Sequence, residues 1–195
     1  GEQVLEIGCG MGIDASELTR RGCKVTGIDL TVRGIELAKK NFDRLGYKGS
    51  FFLGNAECLD FADSAFDSVY SAGVLHHTPD TAKAISEVLR VLKPGGFAFI
   101  LLYSRYSLNR LVHQILKAPY ETSKTVKNGD APVTRVYSKQ ELGILFQGFV
   151  NCKFHKRYLF GAGWKPVSYF IPSWLNDFAG RAFGWHWLIV AQKRM

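Results

Sequence analysis

The stretch VLEIGCGMG, Val4 to Gly12, sets glycines at positions 8, 10 and 12 directly after an apolar run. A strand running through glycines into a helix offers unpaired backbone N–H groups and the positive end of a helix dipole to whatever binds there. The spacing is G-x-G-x-G, with Ile13 where a dinucleotide fingerprint has its third glycine, so a pyrophosphate is a poor match. Glu6, two residues ahead of the first glycine, would repel a diphosphate and favour a cation. Asp29 follows Gly8 by 21 residues, where a carboxylate can accept from both hydroxyls of a ribose. Together these residues predict a nucleoside with a cationic, amino-acid-like tail. His76 and His77 add adjacent imidazoles, whose ordinary pKa suits proton transfer, although one of the pair could equally be structural.

The elements that must hold these residues alternate. Val4 to Ile7 reads as a strand, Gly12 to Arg21 as a helix closed by Gly22, and Lys24 to Ile28 as a second strand. Thr31 can cap a helix carrying Ile35, Ala38, Phe42 and Leu45 at helical spacing, stopped by Gly46. Strands follow at Ser50 to Leu53 and Phe66 to Ser71. Thr78-Pro79 predicts the next helix start, and Lys93-Pro94-Gly95-Gly96 its sharp end. The nearly all-apolar run Phe97 to Tyr103 predicts a fifth strand covered on both faces. Such alternation implies a doubly wound parallel sheet, whose ligands sit beyond the carboxyl ends of the strands.

The rhythm changes after Tyr103. A helix is expected from Leu108 to Lys117, then a long polar stretch that would serve as a lid. Ser138 and Glu141 form a capping-box pair ahead of Leu142, Leu145, Phe146 and Phe149. Strands are predicted at Val150 to Tyr158 and Trp185 to Gln192, separated by an aromatic connection containing Trp164, Tyr169, Phe170, Trp174 and Phe178. With no repeat and no linker, residues 1–195 read as one domain, 1–103 serving the cofactor and 104–195 the substrate side.

Charge follows the same division. Residues 1–100 hold 11 basic and 13 acidic side chains, whereas 101–195 hold 14 and 4, together with 17 of the 26 aromatics. The second half is therefore expected to meet something anionic or flat, or simply to keep an aromatic region in solution. Four cysteines without a CxxC pair or zinc-like spacing point to reduced thiols in the cytoplasm, with no disulfide and no metal. No apolar run approaches the roughly 18 residues of a membrane span. The chain starts with Gly1 almost inside a strand, which suggests a natural segment ahead of it.

VLEIGCGMG, GIDL, GNAECLDF, FDSVYSAGVLHHTPD and LKPGG, in this order, resemble the class I S-adenosylmethionine-dependent methyltransferases, specifically their broad small-molecule group (methyltransferase type 11-like). The resemblance covers about residues 3 to 103. It implies a seven-stranded, Rossmann-like sheet with the last strand antiparallel and S-adenosylmethionine as cofactor. By position, Glu6, Gly8, Gly10 and Gly12 would line the methionine end, Asp29 would hold the ribose and Leu30 would lie against the adenine. Asn55 stands where the family usually has Asp; Asn55, Ala56 and Glu57 would meet the adenine edge, and Ser71 and Ala72 would pass beside the donor methyl. His76 or His77 would be the base if the acceptor must lose a proton. Tyr103, Arg105, Arg135 and Tyr137 would bind an acidic or aromatic small-molecule acceptor. The alternatives are a nucleic-acid methyltransferase, a non-catalytic cofactor-binding regulator, and a peripheral-membrane or lipid-directed enzyme.

Overall fold

The computed structural model describes residues 1–115, 117, 134–159 and 172–195. Strand β1 (Gln3–Ile7) is buried from Val4 to Ile7 because it lies between β2 (Lys24–Asp29) and β4 (Phe66–Ala72), both parallel to it. β3 (Ser50–Leu53) extends the sheet beyond β2, and β5 (Leu92–Tyr103) lies beside β4. β6 (Val150–Arg157) forms the far edge, and β7 (His186–Gln192) inserts antiparallel between β5 and β6. The order is β3-β2-β1-β4-β5-β7-β6, seven strands with β7 reversed, as expected.

The helices are α1 (Ile13–Arg20), α2 (Val32–Leu45), α3 (Thr81–Val91), α4 (Leu108–Ile115), α5 (Lys139–Leu145) and α6 (Ser173–Phe183). Their ends follow local chemistry. Thr31 accepts from Gly34 N–H at 3.1 Å, Gly46 closes α2 in the left-handed region, and Ser138 and Glu141 complete a reciprocal capping box. α3 departs from expectation: Asp80, not Thr78, is its N-cap, accepting from Lys83 N–H at 3.0 Å. The Thr78 hydroxyl turns inward to the Leu75 carbonyl at 2.8 Å and closes a 3-10 turn over Leu75–His77.

Lys93-Pro94-Gly95-Gly96 ends α3 but does not delay the strand, which starts at Leu92 and slips register opposite Phe66 and Ser68. Asp67 draws this segment in, bonding Lys93 Nζ at 2.7 Å and Gln3 N–H at 2.8 Å. Gly96 allows it, because a Cβ there would fall 2.7 Å from the Asp67 carbonyl oxygen.

One core lies between the sheet and α3 and α5, built on Leu5, Ile7, Val69, Ile100, Leu102, Val88, Leu142 and Phe146. A smaller one, with Val25, Ile35, Ala38, Phe42 and Phe51, lies on the opposite face under α1 and α2. β5 is not covered on both faces: Ala98, Ile100 and Leu102 are buried while Phe97 and Phe99 are 40% and 42% exposed. Alternation along β5 therefore follows the period of a half-covered strand despite its apolar composition. The expected lid and Trp164, Tyr169 and Phe170 lie outside the described residues.

Candidate functional site

The glycine turn joins β1 to α1 at the carboxyl edge of the sheet. Its amides are not free, contrary to expectation. Gly8 and Cys9 N–H both donate to the Ile28 carbonyl at 2.8 and 2.9 Å, Gly12 donates to Cys9 at 2.8 Å, and Gly10 donates to Asp29 Oδ2 at 2.9 Å. What the turn presents instead is negative charge.

The glycines also serve different neighbours. A Cβ on Gly8 would sit 2.2 Å from Val74, and one on Gly12 would press on Ala38 at 3.2 Å, so protein packing forbids side chains at both. Gly10, at φ +49°, faces open space. Of the three, only Gly10 is positioned to let a ligand approach the backbone.

Glu6 lies on the α1 face of β1 and is 4% exposed, yet its Oε2 has no hydrogen-bond partner. Burial, then the charge of Asp14 and of Asp29, pushes its pKa up to about 8. The Cys9 thiol is raised to about 12 by burial and the same field of Glu6 and Asp29. Tyr70, whose hydroxyl donates to Asp14 Oδ2 at 3.1 Å, is also raised, chiefly by burial and by Asp14. Three carboxylates thus converge on the turn, and no ion pair compensates any of them among the described residues. Such a site favours a cation.

Asp29 is heavily engaged. Oδ1 accepts from Thr31 N–H at 2.8 Å and from its hydroxyl at 2.6 Å, and Oδ2 accepts from Gly10. A carboxylate has about four acceptor positions, which leaves one for a ligand. Next to it, Leu30 is 69% exposed, an apolar shelf at the end of β2. Asn55 Oδ1 accepts from Glu57 N–H at 2.9 Å and Glu57 Oε1 from Asp80 N–H at 2.6 Å, so both stabilise their own loop. Ala56 is buried. The Ser71 hydroxyl donates to the Ile7 carbonyl at 3.0 Å, tying β4 to β1, and Ala72 stays partly open at the strand end.

The two histidines separate clearly. His76 is wholly buried, stacked on Tyr103 with ring centres 3.7 Å apart, and neither ring nitrogen makes a hydrogen bond of good geometry. Burial, with His77 and His186 adding to it, lowers its pKa to about 2. It is a neutral packing group that cannot take up a proton near neutrality. His77 is only partly buried, with Nδ1 3.4 Å from Thr134 Oγ1.

Tyr103, Arg105, Arg135 and Tyr137 lie on adjoining segments: Tyr137 N–H donates to the Tyr103 carbonyl and Arg105 N–H to the Tyr137 carbonyl, both at 2.9 Å. Tyr103 is buried among His76, Trp185 and His186. Arg105 pairs with Glu141, and Arg135 donates to the Pro79 carbonyl at 2.7 Å and through its own N–H to the His76 carbonyl at 2.9 Å. Tyr137 bridges to Ser104, and its carbonyl accepts from Trp187 Nε1 at 2.9 Å. These residues clamp the chain over the ends of β4 and β5, and their cationic heads are already partnered.

Unforeseen in the sequence are Asp14, Val74 and Gly34, the last because a Cβ would stand 3.0 Å from the Asp29 carboxylate. Asp14 carried a signal, an acid in the first turn of α1. Also unforeseen is a cavity of about 420 Å³ between α4 and α6, lined by Leu108, Leu111, Leu159 and Phe183 with Arg105 and Arg110 at its margin. Among the described residues no group of three His, Cys, Asp or Glu could hold a metal, and no helix is long and apolar enough to cross a membrane.

Comparison with known proteins agrees with this geometry. Residues 5–100 match a family model described as a methyltransferase domain. The phthiotriol/phenolphthiotriol dimycocerosates methyltransferase of Mycobacterium tuberculosis is 43% identical over 99 residues, 50% of this chain and 36% of that protein. A ubiquinone biosynthesis O-methyltransferase of Paracidovorax citrulli is 34% identical over 107 residues, 54% of this chain and 45% of that protein. The chain thus spans less than half the length of these curated relatives. The whole chain superposes on an S-adenosylmethionine-dependent methyltransferase, possible histamine N-methyltransferase, of Thermotoga maritima with TM-score 0.72, 23% identity and 83% coverage of that structure. It also superposes on phosphoethanolamine N-methyltransferase 2 of Haemonchus contortus, solved with S-adenosylmethionine, with TM-score 0.73, 18% identity and 49% coverage; both likenesses concern the fold. The orphaned Glu6 oxygen and the uncompensated acids around Gly10 fit the cationic cofactor of that family, and residues 5–100 are a methyltransferase domain of the class I S-adenosylmethionine-dependent kind.

Proposed function

We propose that this chain transfers a methyl group from S-adenosylmethionine to a small organic acceptor. The observation that carries this reading is the acid cluster of Glu6, Asp14 and Asp29 around the open face of Gly10. When bound, the cofactor supplies an electrophilic methyl group on a positively charged sulfur. Glu6 would face its cationic methionine end, Asp29 would use its remaining acceptor position for a ribose hydroxyl, and Leu30 would lie against the adenine with Ala56 at the ring edge. Ala72, at the end of β4, would border the methyl group. Asn55, Glu57 and Ser71 would act by holding their loops.

Methyl displacement depends mainly on alignment of two bound reactants, so the fold contributes chiefly by seating them. The α4–α6 cavity, beyond the carboxyl ends of the strands, is the seat for the acceptor: apolar walls with Arg110 at the rim suit a small, largely apolar molecule with an anionic or polar group. Relatives named for phthiotriol dimycocerosates and for ubiquinone biosynthesis support a small organic acceptor. For an acceptor that must lose a proton, His77 is the base, and His76 keeps the wall dry and rigid.

The test is mass spectrometry of a cell extract incubated with the protein and methyl-labelled donor. A labelled small organic product, lost in the Asp29→Ala variant, supports the reading. Label in nucleic acid alone, or cofactor binding without any labelled product, overturns it.

A further inference from the structure

Helix α6 separates two cavities of opposite character. On the side of α4 lies the apolar pocket already described. Against the edge strand β6 lies a second cavity of about 550 Å³ to which Lys139, Lys156, Arg157 and Arg181 bring four cations, with His155 and Trp187 beside them. Among the described residues no acid lines it, and none pairs with Lys139, Arg157 or Arg181. Lys156 is the best-held of the four. Its ammonium donates to the carbonyls of Tyr106 at 2.7 Å and Ala182 at 3.0 Å and lies 5.1 Å from the centre of the Trp187 ring, which leaves one N–H for a ligand. A cavity to which four cations and, among the described residues, no carboxylate contribute favours an anion.

Among its described side chains, the same helix exposes large aromatics. Trp174, Phe178 and Arg181 recur at i, i+4 and i+7, so the two aromatics share the face that carries one of the cavity's cations. Trp174 is 69%, Phe178 72% and Phe183 60% exposed, and α4 leaves Leu111 and Ile115 exposed nearby. Isolated apolar residues in solvent are ordinary, whereas a cluster rimmed by cations marks an interaction surface.

Two anionic partners could answer the charge. Nucleic acid would satisfy the cations and could stack on Trp174, but it has no use for Leu111 and Ile115. An anionic bilayer meets both features: headgroup phosphates pair with Lys139, Arg157 and Arg181, and Trp, Phe and aliphatic side chains enter the headgroup–acyl boundary. We infer that α6 and the basic cavity beside it dock this chain on an anionic lipid surface, which sets the apolar α4–α6 pocket next to the lipid. The inference does not depend on methyl transfer.

Flotation of the full chain with phosphatidylcholine vesicles, with and without one third phosphatidylglycerol, tests it directly. Binding at least tenfold stronger to the anionic vesicles, weakening as salt is raised, is the expected result. The double reversal Lys139→Glu with Arg181→Glu loses about tenfold or more of that binding, and Trp174→Ala with Phe178→Ala loses about as much at unchanged charge. Unaltered cofactor affinity by calorimetry shows that both variants are folded. Equal binding to neutral vesicles, or none to either, overturns the inference. So does tighter binding of a mixed-sequence single-stranded RNA that only the charge reversal abolishes.

Discussion

The two ends of the sheet's carboxyl edge carry opposite charge and use it differently. Around β1, β2 and α1, a buried Glu6, a half-buried Asp29 and an exposed Asp14 stand without counter-ions among the described residues, and backbone amides are satisfied internally. Around β6, α5 and α6, cations stand at the surface among exposed aromatics. A buried charge without a partner is costly, so at the first end Glu6 keeps its proton until a cation arrives. Exposed cations in water cost little, so the second end is stable alone and merely selective. The contrast separates a seat for a defined cofactor from a surface for a broader partner.

Both ends nevertheless share one core, and the largest effect tests that unity. Phe146 on the far half packs under the strands of the first. Phe146→Ala should cost about 3–5 kcal/mol and unfold both halves in one calorimetric transition. Two separated transitions would mean that the halves are independent.

Asp29→Ala removes an acid and frees Gly10 and Thr31 at once. Cofactor affinity should fall about 100-fold by calorimetry, while vesicle binding at the far end stays within about twofold.

Glu6 makes the difference measurable by pH. Its folded pKa, about 8 against 4.5, means that the folded protein holds a proton the unfolded chain gives up, so stability without cofactor falls as pH rises from about 4.5 to 8. A bound cation favours the carboxylate. Cofactor binding should therefore release a proton near neutrality, and affinity should drop by up to about tenfold per pH unit below 8. Glu6→Gln should abolish both slopes. Calorimetry in buffers of different ionisation enthalpy reads the proton directly.

His76 tests the opposite sign. Its pKa is lowered to about 2, and that of His186 to about 4, both chiefly by burial, so protons are taken up on unfolding. Stability should fall as pH drops below about 6.5, and His76→Phe should lessen that fall without altering the neutral-pH rate more than a few-fold. A collapse of activity in His76→Phe, with the fold intact, would return His76 to the chemistry. The smallest effect concerns the capping box: Ser138→Ala should cost about 1 kcal/mol by denaturant titration and leave the cofactor end untouched.

The parts of the fold that read directly from the sequence are those governed by near neighbours. Thr31, Gly46, Ser138 and Glu141 mark helix ends because their partners lie within four residues. Thr78 misled because Asp80 offers a better acceptor two residues on, and the Thr78 hydroxyl finds a buried carbonyl. At the site, Glu6 and Asp29 stood out through position relative to the glycines. The four residues named for an acceptor lie on adjoining segments, Tyr137 bonded through its backbone to Tyr103 and Arg105, yet the heads of Arg105 and Arg135 are taken by Glu141 and the Pro79 carbonyl, which local sequence does not reveal.

By itself the sequence determined the alternation of strand and helix, the glycine turn with its two acids, and the asymmetry of charge, since each depends on spacing and composition along the chain. Only the tertiary structure decided that Gly8 answers to Val74 and Gly10 to open space, that His76 is sealed while His77 is not, and that α4 and α6 enclose an apolar pocket beside a basic one. Those outcomes turn on contacts between residues tens of positions apart, where burial and the local field, rather than residue type, set what a side chain can do.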